Sequence, residues 1–281
     1  MSDVYEDLLI ENASHGTEVM HSLKTHRDTL VEMVQRPKWG TTCYMNRVIQ
    51  SCELDEALYH ETLVHPAMSC ACSHRRVMII GGGEGATARE VLKWPDVEII
   101  DMYEWDRDVV QLFSENYPQW AKGAWESHKL KVHHKDIFEE ITHYPERRYD
   151  VIIIDLFDPS EEDKESWNIL LYHIQHWRNY GGVIVCYAGM RSMTDIKQPY
   201  QKLYEMIRNS PLQLHEYKDL FHSNHVTQME VVPYHVFIPS FLGESTFLLI
   251  KSRAFTLTFD KTKQLSHITK EIWKSYKTFN W

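Results

Sequence analysis

The stretch Val77-Met78-Ile79-Ile80-Gly81-Gly82-Gly83-Glu84-Gly85-Ala86-Thr87-Ala88-Arg89-Glu90 decides the fold class. Four apolar residues without polar alternation read as a strand buried on both faces, the habit of a parallel sheet. The glycines that follow tolerate positive φ and let backbone come close to a ligand. Good helix formers take over from Ala86. Strand, glycine turn and helix in this order open a doubly wound α/β sheet, whose ligands lie beyond the carboxyl ends of its strands.

The same alternation continues downstream. Val97 to Tyr103, Leu130 to His133, Val151 to Ile154 and Val183 to Tyr187 read as further strands separated by helical stretches. His215 to Phe221 and Phe247 to Lys251 read as two more, antiparallel, which completes a methyltransferase-like, mostly parallel seven-stranded sheet. Upstream, the spacing of Leu8, Leu9, Val19, Met20 and Leu23, interrupted at Gly16, predicts helix, while Leu30 to Gln50 predicts strand, turn and strand around Pro37 to Gly40. The expected organisation is an N-terminal helical and β-hairpin region over 1–72, a small β-rich unit, and a nucleoside-binding Rossmann-like catalytic domain over 73–281.

Composition narrows the function classes. The 281 residues are 43% hydrophobic and 25% charged, a globular balance that excludes disordered and collagenous chains. The longest apolar runs are too short for a bilayer, and no charged-then-apolar leader opens the chain, so a cytoplasmic protein with no membrane partner is expected. Thirty Lys and Arg against forty Asp and Glu give a charge of -10, the wrong sign for a nucleic-acid partner and the right one for small cations. Five irregularly spaced cysteines suit free thiols, and Cys70, Cys72 and His74 lack the second ligand pair of a zinc site, so no metal is expected.

Glu84 stands inside the glycine turn. Beside a dinucleotide pyrophosphate its carboxylate would be repelled, whereas beside a sulfonium or an amine it is attracted, which favours an S-adenosyl ligand over NAD. Glu104 closes the next strand, where an acid accepts from both ribose hydroxyls, and Asp136 closes the one after, suited to an adenine amino group. Tyr149-Asp150-Val151-Ile152-Ile153-Ile154-Asp155-Leu156-Phe157-Asp158-Pro159 then delivers two carboxylates past a buried strand, with Pro159 restricting the backbone after Asp158. Such a pair can bind an organic cation, bind a metal or act as a base, and the absence of a neighbouring His and acid cluster ranks metal below cation.

In this ordered set the chain resembles the spermidine synthase family of aminopropyltransferases, well over Val31 to Pro159 and more loosely to Lys251. Val48 to Glu61 is similar to the family's N-terminal hairpin and following helix, and Tyr59-His60-Glu61-Thr62-Leu63-Val64-His65-Pro66 lies nearest the thermospermine synthase branch. The resemblance implies decarboxylated S-adenosylmethionine as co-substrate, no other cofactor, a polyamine acceptor and a homodimer or homotetramer. It implies Asp155 as catalytic base; Gly81, Gly83, Glu84, Glu104 and Asp136 around the donor; and Tyr59, His60, Asp158 and Phe241 around the acceptor.

Departures are informative. The acid-rich Ser160 to Trp167 replaces the family's Gly-Pro-type loop, a glutamine expected near Thr29 is missing with Gln35 in another register, and Phe241 stands where many relatives carry tyrosine. Two other readings stay open: an S-adenosylmethionine-dependent amine N-methyltransferase on the same framework, and a non-catalytic polyamine-binding relative.

Overall fold

The computed structural model describes residues 16–157, 159–192, 198–213, 229–254, 257 and 265–277. Glu18–Lys24 (β1), Leu30–Arg36 (β2), Gly40–Met45 (β3) and Val48–Cys52 (β4) form a four-stranded antiparallel sheet in sequence order. The β3–β4 connection is tight, with positive φ at both Asn46 and Arg47, as a two-residue turn between twisted strands requires. Helix had been expected at Val19 to Leu23. The residues form strand because β1 pairs with β2 through a bulge between Val19 and His21, which breaks the two-residue alternation and leaves Val19 and Met20 adjacent on an exposed edge. Leu8 and Leu9 lie outside the described residues.

The second sheet has seven strands: Arg76–Gly81 (β5), Ile99–Tyr103 (β6), Leu130–His133 (β7), Tyr149–Asp155 (β8), Arg178–Met190 (β9), Met229–Ile238 (β10) and Gly243–Ser252 (β11). Its order is β10-β11-β9-β8-β5-β6-β7, parallel from β9 to β7, with β11 and β10 added antiparallel. The stretch His215 to Phe221 lies outside the described residues, and the strand that completes the sheet is β10.

Side chains alternate across the central strands. Val77, Ile79, Val151 and Ile153 enter one buried cluster, with Glu56–Cys70 (α1), Ala86–Leu92 (α2) and Arg107–Asn116 (α3) on that face. Met78, Ile80, Ile152 and Ile154 enter the other, covered by Lys164–Trp177 (α5) and Pro199–Asn209 (α6), with the single turn Ile137–Glu140 (α4) at its rim. A sheet covered on both faces explains why its strands read as uninterrupted apolar runs. No helix among the described residues is long and apolar enough to cross a membrane.

Helix α1 follows the small sheet in sequence but packs on the large one, against β8 to β11 and α2. Almost every side chain from His60 to Cys70 is buried, so the helix has no polar face. His26, in the β1–β2 turn, ties the small sheet to α3: its backbone N–H donates to Asp108 Oδ2 at 2.7 Å, and its Nδ1 lies 2.9 Å from the same oxygen. At the other end, buried Asp55 accepts from the Ser240 N–H and hydroxyl at 2.6 and 2.8 Å, fixing the 3-10 turn Pro239–Phe241 to the start of α1.

Pro66 sits inside α1 and has no N–H for the Thr62 carbonyl one turn earlier. The hydroxyl of Tyr234, fully buried on β10, donates to that carbonyl at 3.0 Å. Tyr234→Phe should therefore cost about 1–3 kcal/mol, the penalty of an unpaired buried acceptor. Urea unfolding checks this; an unchanged midpoint would mean that another donor already serves Thr62.

Candidate active site

The site grows from the point where the chain reverses its progress across the sheet. From β5 it proceeds outward to β6 and β7, then returns to place β8 on the other side of β5. Loops diverge there and leave a crevice at the carboxyl ends. At its floor Gly81 is registered against Asp155, with φ +83°, and a Cβ on Gly81 would stand 2.2 Å from the Asp155 carbonyl oxygen. Only glycine allows β5 and β8 to meet this closely. Gly83 is constrained differently: its Cβ would lie 3.0 Å from Glu104 Oε2 and from Val109 Cγ1, so its bareness makes room for the carboxylate.

A cavity of about 700 Å³ opens over this floor. It is lined by Gly81, Gly83, Glu84, Glu104, Asp136 and Asp155, and by Tyr59, His60 and Phe241. The sequence-derived set is thus gathered in one place, except Asp158, which lies outside the described residues. Asp155 receives a hydroxyl on each oxygen, Tyr59 OH to Oδ1 at 3.0 Å and Thr87 Oγ1 to Oδ2 at 2.7 Å. Each oxygen keeps a second acceptor position. Burial first, then the Asp155 charge and Tyr187, push the Tyr59 hydroxyl far above the ordinary tyrosine range, so it acts as donor. The Tyr59 ring is surrounded by Tyr187, Phe241 and Phe247 at 5.9, 6.1 and 5.4 Å between centroids. Tyr59, Tyr187 and Phe241 line the same cavity as Asp155, and aromatic faces in a cavity with a carboxylate suit an organic cation.

Asp136 caps α4 through Oδ1, which accepts from Phe138 N at 2.9 Å. The His60 ring is committed on both sides: Nδ1 lies 2.6 Å from the Glu56 carbonyl and 3.1 Å from Glu56 Oε2, and Nε2 lies 2.6 Å from Glu84 Oε1. Neither nitrogen is left for an acceptor amine. The ring, expected beside the acceptor, is a partner of Glu84. In the acidic loop, Glu161 and Glu162 are exposed, Glu161 pairing with Lys202 at 2.8 Å, while Asp163 lines the cavity and accepts from Ser160. Gln35 donates nothing to the cavity, its Oε1 accepting from Thr41 Oγ1 within the small sheet; Thr29 and Gln50 line the cavity instead.

Thr87, Glu56 and Arg89 escaped the sequence reading. Thr87 is the second residue of the helix after the glycines, and its reach back to a strand end is a tertiary fact. Glu56 and His60 do carry a signal, four residues apart on one helix face. The tempting Cys70, Cys72 and His74 are dispersed: Cys70 is buried, Cys72 exposed, and His74 pairs with Asp96 at 2.7 Å.

Glu104 lies far above the ordinary carboxyl range, raised to about 7. Burial is the main cause, reinforced by the charges of Asp106 and Asp155 and opposed by backbone donors at Asp106 and Gly83. An unfolded glutamate ionises near 4.5. Between these values the folded chain holds more protons than the unfolded one, so this group's stabilisation is complete below the lower value and is lost as pH rises through the upper. Glu104→Gln should remove that loss. Denaturation at about pH 5 and about pH 8 should show the variant gaining on the parent at the higher pH, and equal pH dependence would contradict the assignment.

Comparison with known proteins agrees with this geometry. The family model described as spermine/spermidine synthase domain matches residues 56–261. Polyamine aminopropyltransferase 1 of Hyperthermus butylicus is 34% identical over 224 residues, 76% of this chain and 69% of its own length. The polyamine aminopropyltransferase of Pyrobaculum calidifontis is 37% identical over 192 residues, 64% of this chain and 66% of its own. Spermidine synthase from Thermotoga maritima superimposes with a TM-score of 0.74 at 20% identity, covering 93% of this chain and 84% of that one, and so shares the fold. A spermidine synthase solved with the transition state analogue AdoDATO gives 0.76 at 21% identity, with 93% and 85% covered. The match of the family model across most of the chain, on the residues that build the crevice, makes this protein a member of the spermine/spermidine synthase family.

Proposed function

We propose that the chain is a polyamine aminopropyltransferase, moving the aminopropyl group of decarboxylated S-adenosylmethionine to an amine of a polyamine and releasing methylthioadenosine. The observation that carries this reading is Asp155: registered against Gly81 at the crevice floor, held by two hydroxyls and walled by aromatic rings, it is a carboxylate built for a cation.

The roles follow from the chemistry. Glu104 accepts from the ribose hydroxyls, Asp136 offers Oδ2 to the adenine amino group, and Glu84 takes the aminopropyl ammonium. The donor's sulfonium leaves as a neutral thioether, so the carbon–sulfur pair returns to sulfur without acid assistance. The acceptor is the harder partner, because a polyamine nitrogen is mostly protonated near neutrality and then has no lone pair to give. Its neutral form attacks the propyl carbon next to sulfur, and the proton released as the new carbon–nitrogen bond forms passes to Asp155. Tyr59 and Thr87 fix the carboxylate by its two oxygens, and alignment of amine, carbon and sulfur supplies much of the remaining acceleration. Asp158 and Phe241 belong to the acceptor side of this reading, and a spaced second ammonium would find Asp163 there. A homodimer or homotetramer belongs to it as well, supported by the exposed, unpaired edge of β1 among the described residues.

Methyl transfer from S-adenosylmethionine fits less well. Its extra carboxylate would meet Glu84 and Asp155. Among the described residues the only lysine or arginine lining the cavity is Lys135, whose ammonium is 2.9 Å from Glu140. Incubation with each donor and a panel of amines, with products weighed by mass spectrometry, should give a mass gain of one aminopropyl unit on a polyamine; methylated product alone would refute the assignment.

Asp155→Asn keeps the shape and removes the charge and the proton acceptor. We expect kcat to fall about a hundredfold or more while methylthioadenosine still binds. Near-full turnover by this variant with a verified acceptor would move the base elsewhere, Tyr59 being the nearest titratable group.

A further inference from the structure

A chain of buried charges runs from the cavity into the protein with strictly alternating sign. Glu84 Oε1 lies 2.6 Å from His60 Nε2, and His60 Nδ1 lies 3.1 Å from Glu56 Oε2. Arg89 grips Glu56 with both terminal nitrogens, at 2.9 and 2.8 Å, and reaches Glu90 through Nε at 2.8 Å. Glu90 is 2.6 Å from Lys93, which is 3.4 Å from Glu61, and Glu61 accepts the backbone N–H groups of Ser266, His267 and Ile268. His60, Glu56, Arg89, Glu90 and Glu61 are each less than a tenth exposed.

Such a chain is poorly explained by stability. Removing five charged groups from water is costly, and an apolar replacement of similar volume is commonly as stable or more so. What the chain does provide is direction. His60 cannot rotate without breaking its contact with Glu56, and Glu56 is fixed in turn by the two-pronged Arg89. Glu84, on a glycine turn that lines the cavity, is therefore held through Oε1, its one partner among the described residues.

We infer that His60 is a positioning residue for the donor's ammonium, acting through Glu84 and anchored by Glu56 and Arg89. The inference rests on the aminopropyltransferase reading of the site and gives His60 a role on the donor side. Burial alone would drive the imidazole towards neutrality, but Glu84 and Glu56 reverse this and raise its pKa well above the ordinary value, consistent with a cation between two carboxylates. Glu56 is lowered to about 2 despite its burial, by His60 and Arg89.

The test separates the ammonium from the rest of the donor. Methylthioadenosine carries the nucleoside and thioether but no aminopropyl group, so it reports on the pocket without Glu84. Binding of decarboxylated S-adenosylmethionine and of methylthioadenosine is measured by calorimetry for the parent, His60→Gln, Glu84→Gln and the double variant, with steady-state kinetics on a polyamine. His60→Gln should weaken the decarboxylated donor about tenfold, leave methylthioadenosine within about twofold, and raise the donor KM while the acceptor KM holds. In the Glu84→Gln background it should add nothing. Glu56→Gln should show the same selective loss at smaller size, and it carries the test if His60→Gln does not fold. Parallel loss of both ligands, a rise in acceptor KM with donor KM unchanged, or additive effects in the double variant would overturn the inference alone. A parent protein that binds neither ligand would overturn the functional reading and the inference with it.

Discussion

The approach of β5 to β8 at Gly81 governs the geometry of everything above it. A side chain there would occupy the space of the Asp155 carbonyl, so the two strands could not remain in register to their ends. With glycine in place, Asp155 emerges beside the turn that carries Glu84 and within reach of Thr87, the second residue of the helix that follows. The constraint is steric and local, but its products are electrostatic: several carboxylates that would repel one another in an open loop are brought around one cavity. Burial and the neighbouring charges show their cost at Glu104, whose pKa is raised to about 7.

Much of this was legible in the sequence because the underlying physics is local. A parallel strand buried on both faces must be apolar throughout, and the runs from Val77, Val151 and Val183 announce themselves in that way. Strand-end acids were readable once the strands were, since a loop residue at the carboxyl end has few places to point. The weaker readings failed for equally physical reasons. Exposed β1 carries no burial period, and its bulge imitates helical spacing. The turn at Asn46 and Arg47 lacks the glycine that usually marks positive φ, so one hairpin of the small sheet was hidden. Strand β10 contains Pro233 and several half-buried positions, which dilute its signal.

The residues around the Asp155 carboxylate divide along the same line. Asp155 and Tyr59 were named from motif, whereas the Thr87 hydroxyl and the Glu56 to Arg89 pair depend on which helices meet, information that spacing along one chain segment does not contain. His60 is the instructive case. Its motif put it beside the acceptor; in the structure it lines the cavity, and the direction of its ring is set by Glu56 below it and Glu84 above it, two contacts made on different elements.

Asp55 adds a dynamic consequence. By holding Ser240 through both its N–H and its hydroxyl, it welds the turn that carries Phe241 to the first residues of the helix that carries Tyr59. These two walls of the cavity are therefore tied to each other through buried Asp55. Phe157, in the loop after β8, and Val48, at the tip of the small sheet, are apolar cavity-lining side chains about half exposed to solvent. The amide of Ser240 should therefore exchange its hydrogen at the pace of the helix core, not at that of a surface loop.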